Sequence, residues 1–130
     1  MNDFHDVNSD KYGKYDLVFA HGVYYHSISP FLFLENIVSL GDNIFIGGFC
    51  ATEDNPVGEF EILEYNGSKY RVKKYVESSD FTAGINTFGY FFHKDDLIKY
   101  FALQGYKIKV ISDSLEDITA GIFLRFLAQR

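Results

Sequence analysis

Tryptophan is absent from this chain, cysteine and methionine occur once each, and proline occurs twice. A single thiol, Cys50, excludes a disulfide framework, and two prolines in 130 residues exclude a collagenous or proline-rich composition. No apolar run approaches the roughly 18 residues of a membrane-spanning helix. The longest apolar-plus-glycine stretch, residues 44–51, has the length of a strand. The opening residues Met1-Asn2-Asp3-Phe4-His5-Asp6 carry no basic region and no apolar core, so no secretory signal is read there. Together with the lone thiol, this sets the expectation of a reducing cytoplasmic location without membrane contact. Basic residues are scarce as well. With 12 Lys+Arg against 18 Asp+Glu, the net charge of −6 argues against a broad phosphate-tracking surface and so against a nucleic-acid partner, while leaving room for a local basic patch.

Aromatic residues are plentiful, with 14 Phe and 10 Tyr in a chain that is 47% hydrophobic. At this length residues 1–130 read as a single domain, long enough to bury a core. It is too short to hide so many rings easily, and some are expected at the surface.

Residues 1–14 are polar and turn-rich and read as a loop. The run from Tyr15 to His21 (Y-D-L-V-F-A-H) is dominated by apolar residues and ends at Gly22, which predicts a strand buried on both faces. Ser29-Pro30 is a helix start, with Ser as N-cap and Pro in the first turn, and the helix runs through Leu40 to Gly41 as its C′ residue. Residues 43–50 (N-I-F-I-G-G-F-C) follow as a second strand, so strand, helix and strand form a βαβ unit with parallel strands. Residues 59–65 and 69–75 flank Asn66-Gly67-Ser68, a hairpin signal, and this hairpin is placed outside the main sheet. Residues 77–86 read as loop. A second helix over 94–104 is closed by Gly105, with Phe92 and Leu97 at staple spacing and Asp95 and Asp96 at its positive end. A strand over 106–112, an acidic loop over 113–119 and an antiparallel last strand over 121–128 complete the reading. The fold class is therefore α/β, with two main helices and an inserted hairpin.

The stretch Tyr15-Asp16-Leu17-Val18-Phe19-Ala20-His21-Gly22-Val23-Tyr24-Tyr25-His26, followed by Ser29-Pro30, resembles the fourth-strand signature F-D-x-V-x-x-x-G-V-x-Y-H of the class I S-adenosylmethionine-dependent methyltransferases. Phe92-His93-Lys94-Asp95-Asp96-Leu97 through Gly105-Tyr106 is similar to the family's segment leading into its sixth strand, and residues 121–128 to its antiparallel seventh. The resemblance covers roughly residues 6–129 and implies the C-terminal half of a Rossmann-like sheet in the order 4-5-7-6. The family's Gly-rich turn after strand one and its acid after strand two have no match here. Gly47-Gly48, the one Gly pair, is not followed by a helix, so strands one to three are expected to be missing and the domain to be truncated.

The resemblance implies S-adenosylmethionine (SAM) as cofactor, with Ala20, His21, Gly22 and Val23 walling its crevice beyond a parallel strand and Asp6 at the acid near the adenine amino group. It places Tyr25 and His26 at the methyl-transfer pocket, His26 as a general base for a substrate hydroxyl or amine. The competing reading of His26 is a hydrogen bond that pins the loop before Ser29. Asp16 reads better as a backbone partner at the strand start than as a functional group. Metal binding by His21 and His26 is not expected, since no third ligand is evident. Cys50 reads as an inert buried thiol, Asp113, Glu116 and Asp117 as a solvated loop, and Asn66-Gly67-Ser68 as a turn.

Two functions follow. One is a methyltransferase portion acting on a small molecule or a nucleic-acid base, inactive as an isolated chain. The alternative is a non-catalytic remnant acting as an interaction or assembly module. In the complete family fold strand four pairs with strand one, so without it the strand from Tyr15 to His21 becomes an apolar edge that invites self-association or a partner.

Overall fold

The computed structural model describes residues 13–22, 24, 29–53, 59–76, 88–117 and 121–130, with backbone alone at 75–76, 88, 114–117 and 121. Along the chain run β1 (Val18–His21), α1 (Pro30–Ser39), β2 (Asn43–Cys50), β3 (Glu61–Tyr65), β4 (Ser68–Val76), β5 (Phe88–Phe92), α2 (Lys94–Leu103), β6 (Lys107–Asp117) and β7 (Gly121–Gln129). The described chain is mixed α/β, with two helices and two sheets. One sheet has the order β1-β2-β7-β6 and the other β3-β4-β5. β1 and β2 are parallel, and β7 is antiparallel to both β2 and β6.

Alternation along β2 sets the layers. Ile44, Ile46 and Cys50 are fully or almost fully buried, while Phe45 and Phe49 point the other way and are half-buried. Cross-strand register carries this division over the sheet, with Val18 beside Ile44 and Ile44 beside Ala128 on one face, and Phe19 beside Phe45 and Phe45 beside Leu127 on the other. The core cluster takes Phe33, Leu34 and Ile37 from α1 and Leu97, Tyr100 and Phe101 from α2, together with Ile44, Ile46 and Phe126. Phe101 meets Phe126 edge-on at 5.5 Å. Both helices therefore cover the same face. No helix among the described residues is long and apolar enough to cross a membrane.

Several sequence expectations change. β1 is four residues long and not buried on both faces: its pattern alternates, with Val18 and Ala20 buried and Phe19 67% exposed. The apolar run is uniform in composition, but among the described residues no second layer covers Phe19. The hairpin turn forms as read, with Asn66 and Gly67 both at positive φ, but β4 also pairs with β5, so the hairpin belongs to a three-stranded sheet. Residues 113–117, expected as loop, continue β6 past register shifts at Val110/Ser112 and Ser114/Asp117. Residues 1–12, 77–87 and 118–120 lie outside the described residues.

Gly41 also acts differently from the expected left-handed cap. The C-cap is Leu40, whose N–H bonds the Ile37 carbonyl, and Gly41 is not among the positive-φ residues. A Cβ at Gly41 would lie 2.5 Å from the Tyr15 carbonyl oxygen. The chain entering β1 passes against this turn, where the Tyr15 N–H donates to Leu40 O at 2.6 Å and the Tyr106 hydroxyl to Gly41 O at 2.7 Å. Gly41→Ala forces backbone apart and is expected to cost about 1–3 kcal/mol, read as a lowered urea midpoint. Burial pushes the Cys50 thiol up to about 12, against a small opposing effect of the Tyr24 hydrogen bond. In the folded protein Cys50 should not react with a thiol-disulfide reagent at pH 8, and should react fully in denaturant.

Candidate functional site

In open α/β sheets ligands sit beyond the carboxyl ends of parallel strands, so the ends of β1 and β2 are the place to look. β1 ends at His21, which pairs with Gly47. Gly22 then turns at φ 75, and its N–H donates to Gly47 O at 2.7 Å. A side chain at Gly47 would collide with the His21 ring, so the glycine lets the imidazole lie across the strand beside it. His21 thus sits on the face away from the helices, 5.8 Å from the Phe19 ring and 5.0 Å from Phe123. Ala20 faces the core. Tyr24 is buried to 2% exposure, and its hydroxyl donates to Phe49 O and lies 3.4 Å from Cys50 Sγ, tying the segment after β1 to the end of β2. Asp6, Val23, Tyr25 and His26 lie outside the described residues.

Beyond Cys50 the main sheet is stitched to the second one. The Ala51 N–H donates to Phe92 O at 2.9 Å, the Lys94 N–H to Ala51 O at 3.2 Å, and the His93 N–H to Arg71 O at 2.9 Å. Four charged or titratable side chains meet at this seam. His93, 2% exposed, caps α2: its Nδ1 accepts from the Asp95 N–H at 3.1 Å. The proton is therefore on Nε2, which donates to Glu53 Oε1 at 2.7 Å. Arg71 forks onto Asp96, Nε to Oδ2 and Nη2 to Oδ1 both at 3.0 Å, and its backbone N–H donates to Oδ2 at 2.6 Å. Arg71 Nη1 also reaches Glu53 Oε1 at 3.3 Å.

A backbone N–H, His93 and Arg71 hold the Glu53 carboxyl below its usual range. With its side chain 69% exposed, it is a fixed ionised acceptor that can take a hydrogen bond from a hydroxyl or amine. Neither Glu53, Arg71 nor His93 was singled out as functional from sequence, because the four come from separate segments and no spacing links them. Asp96 was read only as a favourable charge at the helix start.

As a nucleotide site these residues supply one wall. The described positive-φ glycines are Gly13, Gly22, Gly67 and Gly105; of these Gly22 alone follows a strand that leads on to a helix, as a single glycine, and residues 23 and 25–28 after it lie outside the described residues. Among the described residues this makes one wall of a cofactor site and not a full cradle. No cluster of three or more metal-ligating side chains occurs among the described residues. A cavity of about 390 Å³ lies at the opposite end of the sheet, lined by Glu35, Ser39, Tyr100 and Arg130 among others, away from this seam.

Asp96 carries a testable load. Burial raises its pKa, but the Arg71 side-chain and backbone hydrogen bonds outweigh burial and hold it below its ordinary 3.8. A depressed folded pKa stabilises above the unfolded value, and that contribution disappears as pH falls through the folded one. Asp96→Asn is therefore expected to lower stability by about 1–3 kcal/mol at pH 7. The gap between variant and parent should narrow as urea melts are taken from pH 5 down to about pH 2.

No protein-family model matches the chain, and no curated protein matches it. Among solved structures it is similar to the N-terminal domain of EvdMO1 in two crystal structures. The one in the presence of SAH and D-fucose gives a TM-score of 0.76 at 16% identity over 98% of this chain. The one with SAH bound gives 0.74 at 16% identity over 100% of this chain. In both, the match spans 52% of the other chain, so this chain covers about half the length of the structures it resembles. The likeness is one of fold: this mixed α/β architecture is shared with a domain that was crystallised with SAH.

Proposed function

We propose that this chain forms the strand-four-to-seven portion of a SAM-dependent methyltransferase-type domain whose acceptor is a small molecule. The observation that carries the reading is the fold likeness to an SAH-bound domain over 100% of the chain. Two further features support it. The sheet order β1-β2-β7-β6, with β1 and β2 parallel and β7 antiparallel, follows the 4-5-7-6 order implied by the sequence resemblance. SAH is the product SAM leaves behind when its methyl group is transferred. The net charge of −6 and the D-fucose of one neighbour's crystals favour a small hydroxylated acceptor over a nucleic-acid base.

SAM supplies an electrophilic methyl group, and the protein's contribution is chiefly placement of the acceptor in line with it. In this reading Ala20, His21, Gly22 and Val23 wall the cofactor, with Asp6 toward its adenine. Tyr25 and His26 shape the acceptor side, and Glu53 accepts a hydrogen bond from the acceptor's hydroxyl. With one wall rather than a cradle, the chain alone holds cofactor weakly. The second reading, a non-catalytic assembly module, is favoured by the exposed Leu17 and Phe19 at the end strand of the sheet.

An amide-resolved NMR titration with SAH tests the proposal. Expected are shifts at His21, Gly22 and Tyr24 with a dissociation constant weaker than about 100 µM, or about 5.5 kcal/mol. No shift at these amides up to several millimolar SAH, or shifts confined to the Glu35–Arg130 cavity, would remove the cofactor assignment. Tighter binding would remove the incompleteness.

A further inference from the structure

The cavity of about 390 Å³ at the far end of the main sheet has a lining drawn from distant parts of the chain. Glu35 comes from α1, Tyr100 from α2 and Gln104 from its C-cap, Tyr65 from the end of β3, and Lys14 and Arg130 from the chain before β1 and after β7. Asn43 pairs with Gln129, so Arg130 lies beyond the amino end of β2, away from the carboxyl ends of β1 and β2. The volume falls in the range of small-molecule sites.

One group in this lining is out of balance. Tyr100 is 1% exposed, and a buried hydroxyl without a partner is costly. The other buried tyrosines have partners: Tyr24 donates to Phe49 O, Tyr106 to Gly41 O, and Tyr70 is hydrogen-bonded to the Ser68 side chain. Among the described residues the Tyr100 hydroxyl has no hydrogen-bond partner. Its ring is held edge-on to Phe101 at 5.4 Å and lies 6.0 Å from Tyr65, so the hydroxyl cannot swing away to find one. Burial, and after it the charge of Glu35, raise its pKa. It therefore stays a neutral hydroxyl, able to donate and to accept, near the Glu35 carboxylate on the same lining.

We propose that this cavity binds a small neutral molecule carrying several hydroxyl groups, a monosaccharide or cyclic polyol, with the Tyr100 hydroxyl and the Glu35 carboxylate as its hydrogen-bond partners. The charges of the lining favour a neutral ligand. Lys14 and Glu35 contribute one of each sign, with no ion pair among the described residues, and Arg130 is paired with Asp42 at 2.8 Å. Glu35 accepts, Lys14 donates, and Tyr100 and Gln104 do both, a mixture that suits hydroxyl groups. Tyr65, stacked on Phe31 at 4.5 Å, adds a fixed aromatic ring for the C–H surface of such a ligand. The inference rests on this cavity alone and stands if the cofactor reading fails.

The test is a chemical-shift titration of the full chain with D-glucose, D-galactose, myo-inositol and sorbitol, beside choline and glutarate as a cation and an anion. At least one polyol is expected to shift the Glu35, Gln104 and Arg130 amides with a dissociation constant below about 10 mM. Tyr100→Phe removes one oxygen and keeps the ring. It should weaken that binding about fivefold or more while leaving the urea midpoint unchanged or raised, since the lost hydroxyl had no partner. Glu35→Gln, at an exposed position, should also weaken binding, and Lys109→Ala, outside the cavity, should not. The proposal is overturned if no polyol shifts these amides, or if choline or glutarate binds more tightly than every polyol. It is overturned equally if Tyr100→Phe binds as the parent does, or if that variant lowers the urea midpoint, which would mean that the hydroxyl is already satisfied.

Discussion

The placement of α1 and α2 on one side of a sheet whose first two strands run parallel shapes everything else in this chain. A strand sends alternate side chains to opposite faces, so once the helices choose a side, the parity of every residue in β1, β2 and β7 is assigned. Ile44, Ile46, Phe126 and Ala128 go under the helices and are essentially buried. Phe19, Phe45 and Phe49 go to the other side, which carries no helix among the described residues. A βαβ crossover explains why the first helix must sit on its side, but it says nothing about what covers the back of the sheet.

The second consequence lies at the carboxyl end of β2. There the chain leaves the main sheet, and the Ala51–His93 bridge joins it to the smaller one. His93 serves two purposes, capping α2 through Nδ1 and steadying Glu53 through Nε2. Asp96, at the third helical position, anchors Arg71 by three hydrogen bonds. His93 and Asp96 are the buried members of this junction, and leaving either of them unpaired is costly, so the pair helps fix one arrangement of the two sheets. It also leaves Glu53 as a positioned acceptor at the end of the sheet where ligands gather in open α/β folds.

Local signals made much of this legible in sequence. Ser29-Pro30 starts α1, Asn66-Gly67 turns the β3–β4 hairpin through positive φ, and Phe92 and Leu97 bracket the start of α2 with both side chains fully buried. What could not be read depended on distant partners. β5 was missed because F-G-Y-F-F before a helix start looks like a lead-in segment until β4 is there to pair with it. The continuous apolar run through β1 looked like a strand buried on both sides, since composition records what a strand could bury and not whether a second layer arrives. Glu53, Arg71, His93 and Asp96 converge only through tertiary contacts. Tyr24 occupied an unspecified position in the strand-four pattern, and its role as a buried pin between Phe49 and Cys50 is visible only in the fold.

These threads meet in one claim: among the described residues β1 is an end strand of the main sheet, and its Phe19 side stands open to solvent. Amide hydrogen exchange resolved to single residues tests this most directly. The account predicts that Phe19 and His21 exchange by local opening, on the order of a hundredfold or more faster than Ile44 and Ile46 in β2. Equal protection across β1 and β2 in the isolated chain would mean that the edge and its aromatic face are already covered, and would contradict it.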